Sequence, residues 1–591
     1  MFHAIYKETI IHGGYLYLDP FVKSPRNGFF SLFMVNSYSF KIRKFVNKKL
    51  FVTTSLPYAN GSLHLGHMLE QTQADIWVRF MRLTGNEVIF VSGDDAHGSA
   101  IMLSAQKEKI SAQDWINKIW NLHYTDSKAF NISYDIFHST RSKENESLVT
   151  DIFKTLDDAG FIKKSKIQQA YDAQAKMFLP DRFIKGTCPK CHAKDQYGDN
   201  CEKCGANYSP VDLIDSYSVL TQTKPVMKAS EHLFFILEKQ QPILEDWLAQ
   251  ANLQPAVRNK LSEWFEQGLR DWDISRDAPY FGFLIPGYKD KYFYVWVDAP
   301  VGYIAALLKY AKLRGKDLVD QVWREDNDWE IHHFVGKDIM YFHGLFWPAV
   351  LQASGYNMPS SLHAHGFLTI DGAKMSKSRG TMVTAQSYLA KLSPEYLRYY
   401  YAAKLSDGIQ DMDLAWDDFT QRCNADLVGK IINIGSRSSG FIHKFFQGLT
   451  ADNLDDADLI AQIADARSTI AQAYYKKQFS LAMREIMALA DSVNQYIDRQ
   501  KPWVLAKDET QLPKVQRVCT TALTAFYQLM IYLAPVLPDS AKKTAKFFNK
   551  EECVWQDLDI PLLQIRINVF PRILERITRQ DCPVGQENTL T

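Results

Sequence analysis

Residues 49–67 read KLFVTTSLPYANGSLHLGH. Lys49 to Thr54 is a short β-branched and aromatic run, which predicts a strand, and Ser55-Leu56-Pro57-Tyr58-Ala59-Asn60-Gly61 predicts a loop. From Leu63 the apolar residues fall at helical spacing through Leu69, Ile76, Phe80 and Leu83, and Glu87 to Ser92 (EVIFVS) reads as a fully buried strand cut off by Gly93. Strand, helix and strand in this order imply a right-handed crossover and a parallel sheet. His64 and His67 share one face of the helix start, where free N–H groups and the helix dipole favour an anion, and Gly66 between them lets a nucleotide approach the backbone.

A second block of this kind spans about 275–370, with strand-like runs at Tyr292–Val297 and Glu330–Val335. Beyond about 385 the pattern is helical: Ile486, Leu489, Ala490, Val493, Tyr496 and Ile497 form one buried stripe, and Leu523, Phe526, Tyr527, Met530 and Ile531 form another. This predicts a helix bundle, and no internal repeat interrupts it.

With 591 residues, 46% apolar and 23% charged, the chain is long enough for several domains and excludes disordered, collagenous and disulfide-scaffold classes. Its 68 basic and 67 acidic side chains leave a net charge of +1, so a nucleic-acid partner must be argued from local sites. No window reaches the ~18–20 continuous apolar residues of a membrane span, and no membrane partner is expected. Residues 1–48 are aromatic and end in Lys41-Ile42-Arg43-Lys44 and Lys48-Lys49; their charges follow an apolar stretch instead of preceding it as in a signal peptide. They are read as an unassigned extension, with Met34 a plausible true start. Of eight cysteines, four form Cys188-x2-Cys191-x9-Cys201-x2-Cys204; two such knuckles supply four thiolates and close a tetrahedral Zn²⁺ site, which predicts one structural ion and a reducing, cytoplasmic location.

Lys374-Met375-Ser376-Lys377-Ser378 follows the turn Asp371-Gly372 and precedes Arg379-Gly380, a pattern suited to clamping phosphates with mobile point charges. Together with residues 64–67 it resembles the HIGH and KMSKS signatures of class I aminoacyl-tRNA synthetases, Leu65 replacing the consensus isoleucine. The segments SGDDAHG, WDISRDAPYFG, FYVWVDAPVGY and HHFVGKDIMYFHGLFWPA narrow the resemblance to the methionyl-tRNA synthetase family, from about residue 51 to about 570.

The resemblance implies an α/β fold: a split Rossmann-like parallel-sheet catalytic domain with a zinc-knuckle insertion, followed by an all-α helix bundle. The expected divisions are 49–164 and 274–370 for the two catalytic halves, 165–273 for the insertion, 371–428 for the KMSKS loop and linking region, 429–570 for an anticodon-binding bundle and 571–591 for a tail. It implies an ATP-dependent methionine–tRNA ligase that forms methionyl-adenylate and pyrophosphate, then esterifies the 3′-terminal adenosine of initiator and elongator tRNA(Met). The partners are L-methionine, ATP with Mg²⁺, and tRNA. By the same resemblance His64, His67, Lys374, Lys377 and Arg276 are catalytic, and His64, Gly66, His67, Asp338 and Lys377 bind ATP. Leu56, Tyr58, Asp95, Trp296, Ala299, Pro300, Tyr303, Phe342 and His343 form the methionine pocket, Asp95 holding the ammonium with Arg276 as ionic neighbour and Tyr303 and His343 lying beside the sulfur. Asn433, Arg437 and Trp503 contact the CAU anticodon. Many bacterial-type members continue into a dimerising domain, so a monomer is expected for a chain ending at Thr591. A stand-alone nucleotidyltransferase and a non-catalytic RNA-binding paralogue are the competing classes.

Overall fold

The computed structural model describes residues 47–198, 201, 203–204, 206, 208, 212–324, 328–375 and 381–583. Met34, Lys377 and Arg379 lie outside them, as do nearly all of the extension and the last residues of the tail.

Six parallel strands form the central sheet: β1 (Lys49–Thr54), β2 (Glu87–Asp94), β3 (Ile136–Ser139), β4 (Asn252–Leu253), β5 (Trp329–Gly336) and β6 (Ser361–His365). Their spatial order is β4-β6-β5-β1-β2-β3, so β1 lies between the two halves of the sheet. Leu50 to Thr54 are buried without exception, because apolar layers cover both faces of the sheet. Alternation divides the strand between the layers. Leu50 and Val52 pack with Met68, Trp77 and Phe80 of helix α1 (Leu65–Leu83), while Phe51 packs with Val301 and Ile304 of α2 (Val295–Leu313).

Tyr292–Val297 is not one strand. Lys291–Phe293 pairs antiparallel with Ser275–Asp277, and α2 begins at Val295 with Asp298 in its first turn, where the helix dipole favours an acid. A hydrophobic run of this length does not distinguish strand from buried helix, and the short pairing partner decides.

The insertion leaves and rejoins on two long antiparallel strands, Ile162–Asp172 and Val226–Phe235, paired from Ile162↔Phe235 to Tyr171↔Val226. At their far end Ile184–Thr187 pairs with Gln196–Tyr197 and with Ile214–Ser218 around the cysteine knuckles. Leu368–Ile370 and Ala373–Lys374 form a hairpin beside Met412–Leu414, turning at Asp371 (φ 46°) and Gly372 (φ 76°). Two successive positive φ values are those of a type I′ hairpin turn, which Asp-Gly suits.

Helices α3 (Pro394–Lys404), α4 (Asn433–Phe446), α5 (Phe479–Gln500) and α6 (Leu512–Leu533) carry the C-terminal part. Their core is continuous with the α1 face of the sheet: Tyr474 stacks on Phe80 at 5.1 Å, and Ile486, Val493, Phe526 and Ile531 belong to the same apolar cluster as Leu50 and Val52. Residues 571–583, expected as tail, are tied down by Tyr396 Oη donating to the Glu575 carbonyl (2.8 Å) and Asn424 Nδ2 to that of Ile577 (2.7 Å). Lys48, expected in the extension, pairs with Glu330 at 2.5 Å.

One buried ion pair binds these parts. Arg398 on α3, fully buried, donates from Nη2 to Asp75 Oδ2 of α1 (2.6 Å) and from Nε to the Val536 carbonyl (2.8 Å), and Asp75 also accepts from Arg79 (2.7 Å) and from the Ser133 backbone (2.7 Å). Burial raises the Asp75 carboxyl, yet Arg79, Arg398 and Ser133 hold it below the usual value. The pair's contribution is therefore complete above about pH 4 and is lost as acid protonates Asp75. Removing one partner strands a buried charge, so Arg398→Met is expected to destabilise the protein by about 3–5 kcal/mol, read as a lowered urea midpoint. An unchanged midpoint would show that the pair contributes nothing.

Candidate active site

Open parallel sheets bind ligands beyond the carboxyl ends of their strands. A cavity of about 730 Å³ opens there, past the ends of β1, β2 and β5. The loop after β1 forms its floor and is fixed to the residue after β2: the Ala59 N–H donates to the Asp95 carbonyl (2.8 Å) and the Asp95 N–H to that of Pro57 (2.9 Å).

His64 is the N-cap of α1. Its Nδ1 accepts from the Gly66 N–H (3.1 Å), and the His64 N–H donates to His67 Nδ1 (3.2 Å). A backbone N–H can only donate, so both Nδ1 atoms are acceptors and both neutral rings carry their proton on Nε2. The rings stack at 3.7 Å on the cavity wall. Two N–H donors are thus fixed beside the positive end of a 19-residue helix, an arrangement that selects an anion. Gly66 is required for a reason the sequence does not reveal: a Cβ there would lie 2.9 Å from His64 Cε1 and 3.1 Å from Met375 Cε. Lys374 and Met375 reach the same cavity, because Leu65 N–H donates to the Val383 carbonyl (3.1 Å) and Ala385 N–H to that of Leu63 (2.9 Å), holding the segment after the loop against His64.

The opposite wall holds Leu56, Tyr58, Asp95, Trp296, Ala299, Pro300, Tyr303 and His343. Phe342 stands behind it, stacked on Trp296 at 3.8 Å. Asp95 is buried and its Oδ1 has no partner; burial first, then the charges of Asp298 and Asp94, hold its carboxyl well above the usual range. Its electrostatic neighbours are these carboxylates rather than Arg276. Arg276 lines the cavity but pairs with Asp273 (3.3 Å) and lies over the Tyr294 ring (3.6 Å), since its strand leads straight out of Asp273.

Tyr303 and His343 also differ from expectation. His343 Nδ1 lies 3.1 Å from the Ile339 carbonyl, which can only accept, and burial lowers the imidazole to about 4, so the ring is neutral with its proton on Nδ1. Nε2 then accepts the Tyr303 hydroxyl proton (2.8 Å). Neither residue keeps a hydrogen for a sulfur.

Asp338 lines the cavity mouth, its carboxylate folded over Gly336, where a Cβ would meet Oδ1 at 2.5 Å. Sequence inspection missed Glu70 and His365. Glu70 Oε1 accepts from the Ser55 N–H (2.8 Å) and hydroxyl, and Oε2 from His365 Nε2 (3.2 Å). The available signal was Glu70-Gln71-Thr72-Gln73, four successive polar residues on a helix that buries all of them and so must supply partners.

In the insertion, Cys188, Cys191, Cys201 and Cys204 bring their Sγ atoms within 4.8 Å of one another, with Cys188–Cys204 at 3.9 Å and Cys191–Cys201 at 3.5 Å. Tetrahedral Zn–S bonds of about 2.3 Å place sulfurs about 3.8 Å apart, so the four thiols fit zinc with no position left open. Backbone N–H groups of Lys190, Cys191 and Cys204 point at Cys188 and Cys201 Sγ, as thiolate ligands require.

On the bundle, Lys501 takes a left-handed conformation (φ 46°) that stops α5, and Pro502 opens the next turn, leaving Trp503 37% exposed. The Arg437 guanidinium covers its ring at 4.8 Å and lies 3.9 Å from Asp498; Asn433 stands one helical turn before Arg437 on α4. The three expected base-contacting residues therefore share one surface.

Residues 50–439 match the family model for class I tRNA synthetases (M), and residues 449–567 that for the anticodon-binding domain of methionyl tRNA ligase. A methionine–tRNA ligase from Dichelobacter nodosus (strain VCS1703A) is 50% identical over 530 residues, 90% of this chain and 79% of the relative. Among solved structures, Mycobacterium tuberculosis methionyl-tRNA synthetase in complex with methionyl-adenylate superposes with a TM-score of 0.74 at 25% identity, covering 89% of this chain and 100% of that one. The free-state form from the same organism gives 0.67 at 22%, covering 90% and 99%. With an anion-selecting helix start, an aromatic-lined cavity and a matched anticodon domain in one polypeptide, the chain belongs to the methionyl-tRNA synthetases, class I enzymes that ligate methionine to its tRNA.

Proposed function

We propose that the cavity at the strand ends carries both steps of the ligase reaction, with its residues divided between the two ends of methionyl-adenylate. The carrying observation is the pair of stacked imidazoles held as Nε2–H donors across one cavity from the partnerless Asp95 carboxylate oxygen. His64, His67 and the Gly66 backbone bind the α-phosphate. As the methionine carboxylate attacks, charge grows on the phosphoryl oxygens, and fixed donors stabilise it without reorganising. Lys374 and Lys377 neutralise the departing pyrophosphate, Asp338 accepts from the ribose hydroxyls, and Arg276 steadies the polyphosphate side. ATP arrives with Mg²⁺ held largely through its phosphates.

Leu56, Tyr58, Trp296, Ala299, Pro300 and Tyr303 surround the methionine side chain, with Phe342 and His343 supporting Trp296 and Tyr303, and Asp95 receives the ammonium. Cys188, Cys191, Cys201 and Cys204 hold one structural zinc, which fixes the outer end of the insertion when bound. Asn433, Arg437 and Trp503 read the anticodon of initiator and elongator tRNA, since splayed bases stack on indole and bond to amide and guanidinium groups. Residues 49–164 and 274–370 serve as the catalytic halves, 165–273 as the insertion and 429–570 as the anticodon bundle. The reaction takes place in the cytoplasm, where the four thiols stay reduced.

Loss of one aimed donor costs about 3–4 kcal/mol of barrier, so His67→Ala is expected to slow methionine-dependent pyrophosphate exchange by ~10²–10³ with little change in thermal stability. Gly66→Ala is expected to slow it as well, by tilting the His64 ring it would contact. Exchange at the wild-type rate in His67→Ala would remove the imidazole from the chemistry. Trp503→Ala is expected to weaken tRNA by about 1–3 kcal/mol in the charging KM while exchange is untouched; equal KM values would end its assignment to the anticodon. Cys188→Ser is expected to lose bound zinc, measured by atomic absorption, together with protease resistance of residues 165–273. Full retention of zinc would exclude Cys188 as a ligand.

A further inference from the structure

Helix α4 carries a residue that weakens it and that the fold does not require. Gly440 stands in the interior of Asn433–Phe446, exposed, and a Cβ built on it would meet nothing within 4 Å. Glycine inside a helix destabilises it relative to alanine, because it gives up more backbone freedom on folding. Gly435 on the same helix is different: a Cβ there would lie 2.6 Å from the Phe570 ring, so packing demands a glycine on that side. For position 440 the remaining physical reason is close approach to the backbone by a molecule from outside.

The surroundings of Gly440 suit one kind of molecule. Arg437 precedes it by three residues and Lys444 follows it by four, so two cations flank the bare backbone on one helix face. Arg437, Phe441 and Phe445 form an i, i+4, i+8 row beside them. The Phe441 and Phe445 rings lie within 10° of parallel, with centroids 6.4 Å apart. Phe441 leans on the bundle core, whereas the rings that Phe445 meets among the described residues are those of Phe441 and Phe446 on its own helix. The Lys444 ammonium covers the Phe445 ring at 4.9 Å, just as the Arg437 guanidinium covers Trp503 at 4.8 Å. The row is therefore continuous with the surface that holds Asn433, Arg437 and Trp503.

We propose that this row is a further nucleotide seat on the bundle: the sugar–phosphate backbone of the tRNA anticodon loop crosses α4 at Gly440, between Arg437 and Lys444, and a base adjoining the CAU triplet stacks on Phe445. The proposal rests on the reading that Arg437 and Trp503 meet the anticodon. Unstacked bases of a single strand pack on any aromatic face, and flanking cations neutralise the phosphate between them. Lys444 then leaves the ring for the phosphate as the base takes its place. Stacking tolerates any base, so Phe445 is a positioning residue: it fixes the register of the loop while other groups read the triplet.

Gly440→Ala separates fold from function at one position. Its urea midpoint is expected to rise, because alanine favours the helix, while the KM for tRNA in charging rises and kcat is held. Phe445→Leu keeps an apolar side chain without the π face and is expected to raise the KM for tRNA about tenfold. Of two tRNA transcripts, one lacking the base just before the triplet and one the base just after it, one is expected to raise the wild-type KM as Phe445→Leu does, and to add nothing further in that variant. Unchanged KM values in either variant overturn the proposal, as do a lowered midpoint in Gly440→Ala or two abasic transcripts charged as well as the intact one. An unchanged KM in Trp503→Ala instead withdraws the anticodon surface on which the proposal rests.

Discussion

The guanidinium of Arg398 is fully buried, and three separate parts of the chain converge to satisfy it. Asp75 of α1 supplies the charge, and carbonyls of Phe130, Pro535 and Val536 take other N–H groups. An ion pair this deep is stable only when both partners are fully hydrogen-bonded, so the sheet helix, the loop before β3 and the helical part are constrained together. Two contacts repeat the constraint further along α1: Trp77 Nε1 donates to the Tyr475 carbonyl (3.1 Å), and the buried Lys477 ammonium lies 4.6 Å over the Trp77 ring. The same helix begins with His64 and His67, so its position is fixed at both ends.

This placement explains how a site of short-range contacts is kept in order. Glu70 grips the loop at Ser55 and reaches His365 after β6, while His64 holds the first turn of α1 through Gly66. Tautomers follow from the backbone instead of from solvent: a carbonyl or an N–H in contact with each Nδ1 fixes where the proton sits in His64, His67 and His343. The donors at the start of α1 are set before a ligand arrives. The opposite wall is set differently, with a neutral Tyr303–His343 pair that offers the cavity no polar hydrogen and a buried acid with an unused oxygen.

Much of this was legible in local patterns. The strand at Lys49, the helix from Leu65, the strand at Glu87 and the two bundle stripes follow from periodicity, because burial on one or both faces leaves a repeat in the sequence. The Asp371-Gly372 turn and the cysteine knuckles were equally plain, since each needs particular residues at fixed spacing. The boundary at Phe293–Val295 was not, as buried strand and buried helix share a composition. Nor were Glu70, His365 and the Arg398–Asp75 pair, whose partners lie 295 and 323 residues apart along the chain.

The sequence by itself determined the chemistry available and its order along the chain: two histidines at a helix start, lysines in a turn-led loop, four thiols in two knuckles, and aromatic and acidic residues in the order of a methionyl-tRNA synthetase. Only the tertiary structure decided which of these groups meet and in what protonation state. It gave Arg276 to Asp273 instead of Asp95, spent the Tyr303 hydrogen on His343, put Phe342 behind Trp296 and surrounded Asp95 with acids. Spacing specifies which side chains share a face, whereas charge and tautomer depend on burial and on contacts between segments far apart in sequence.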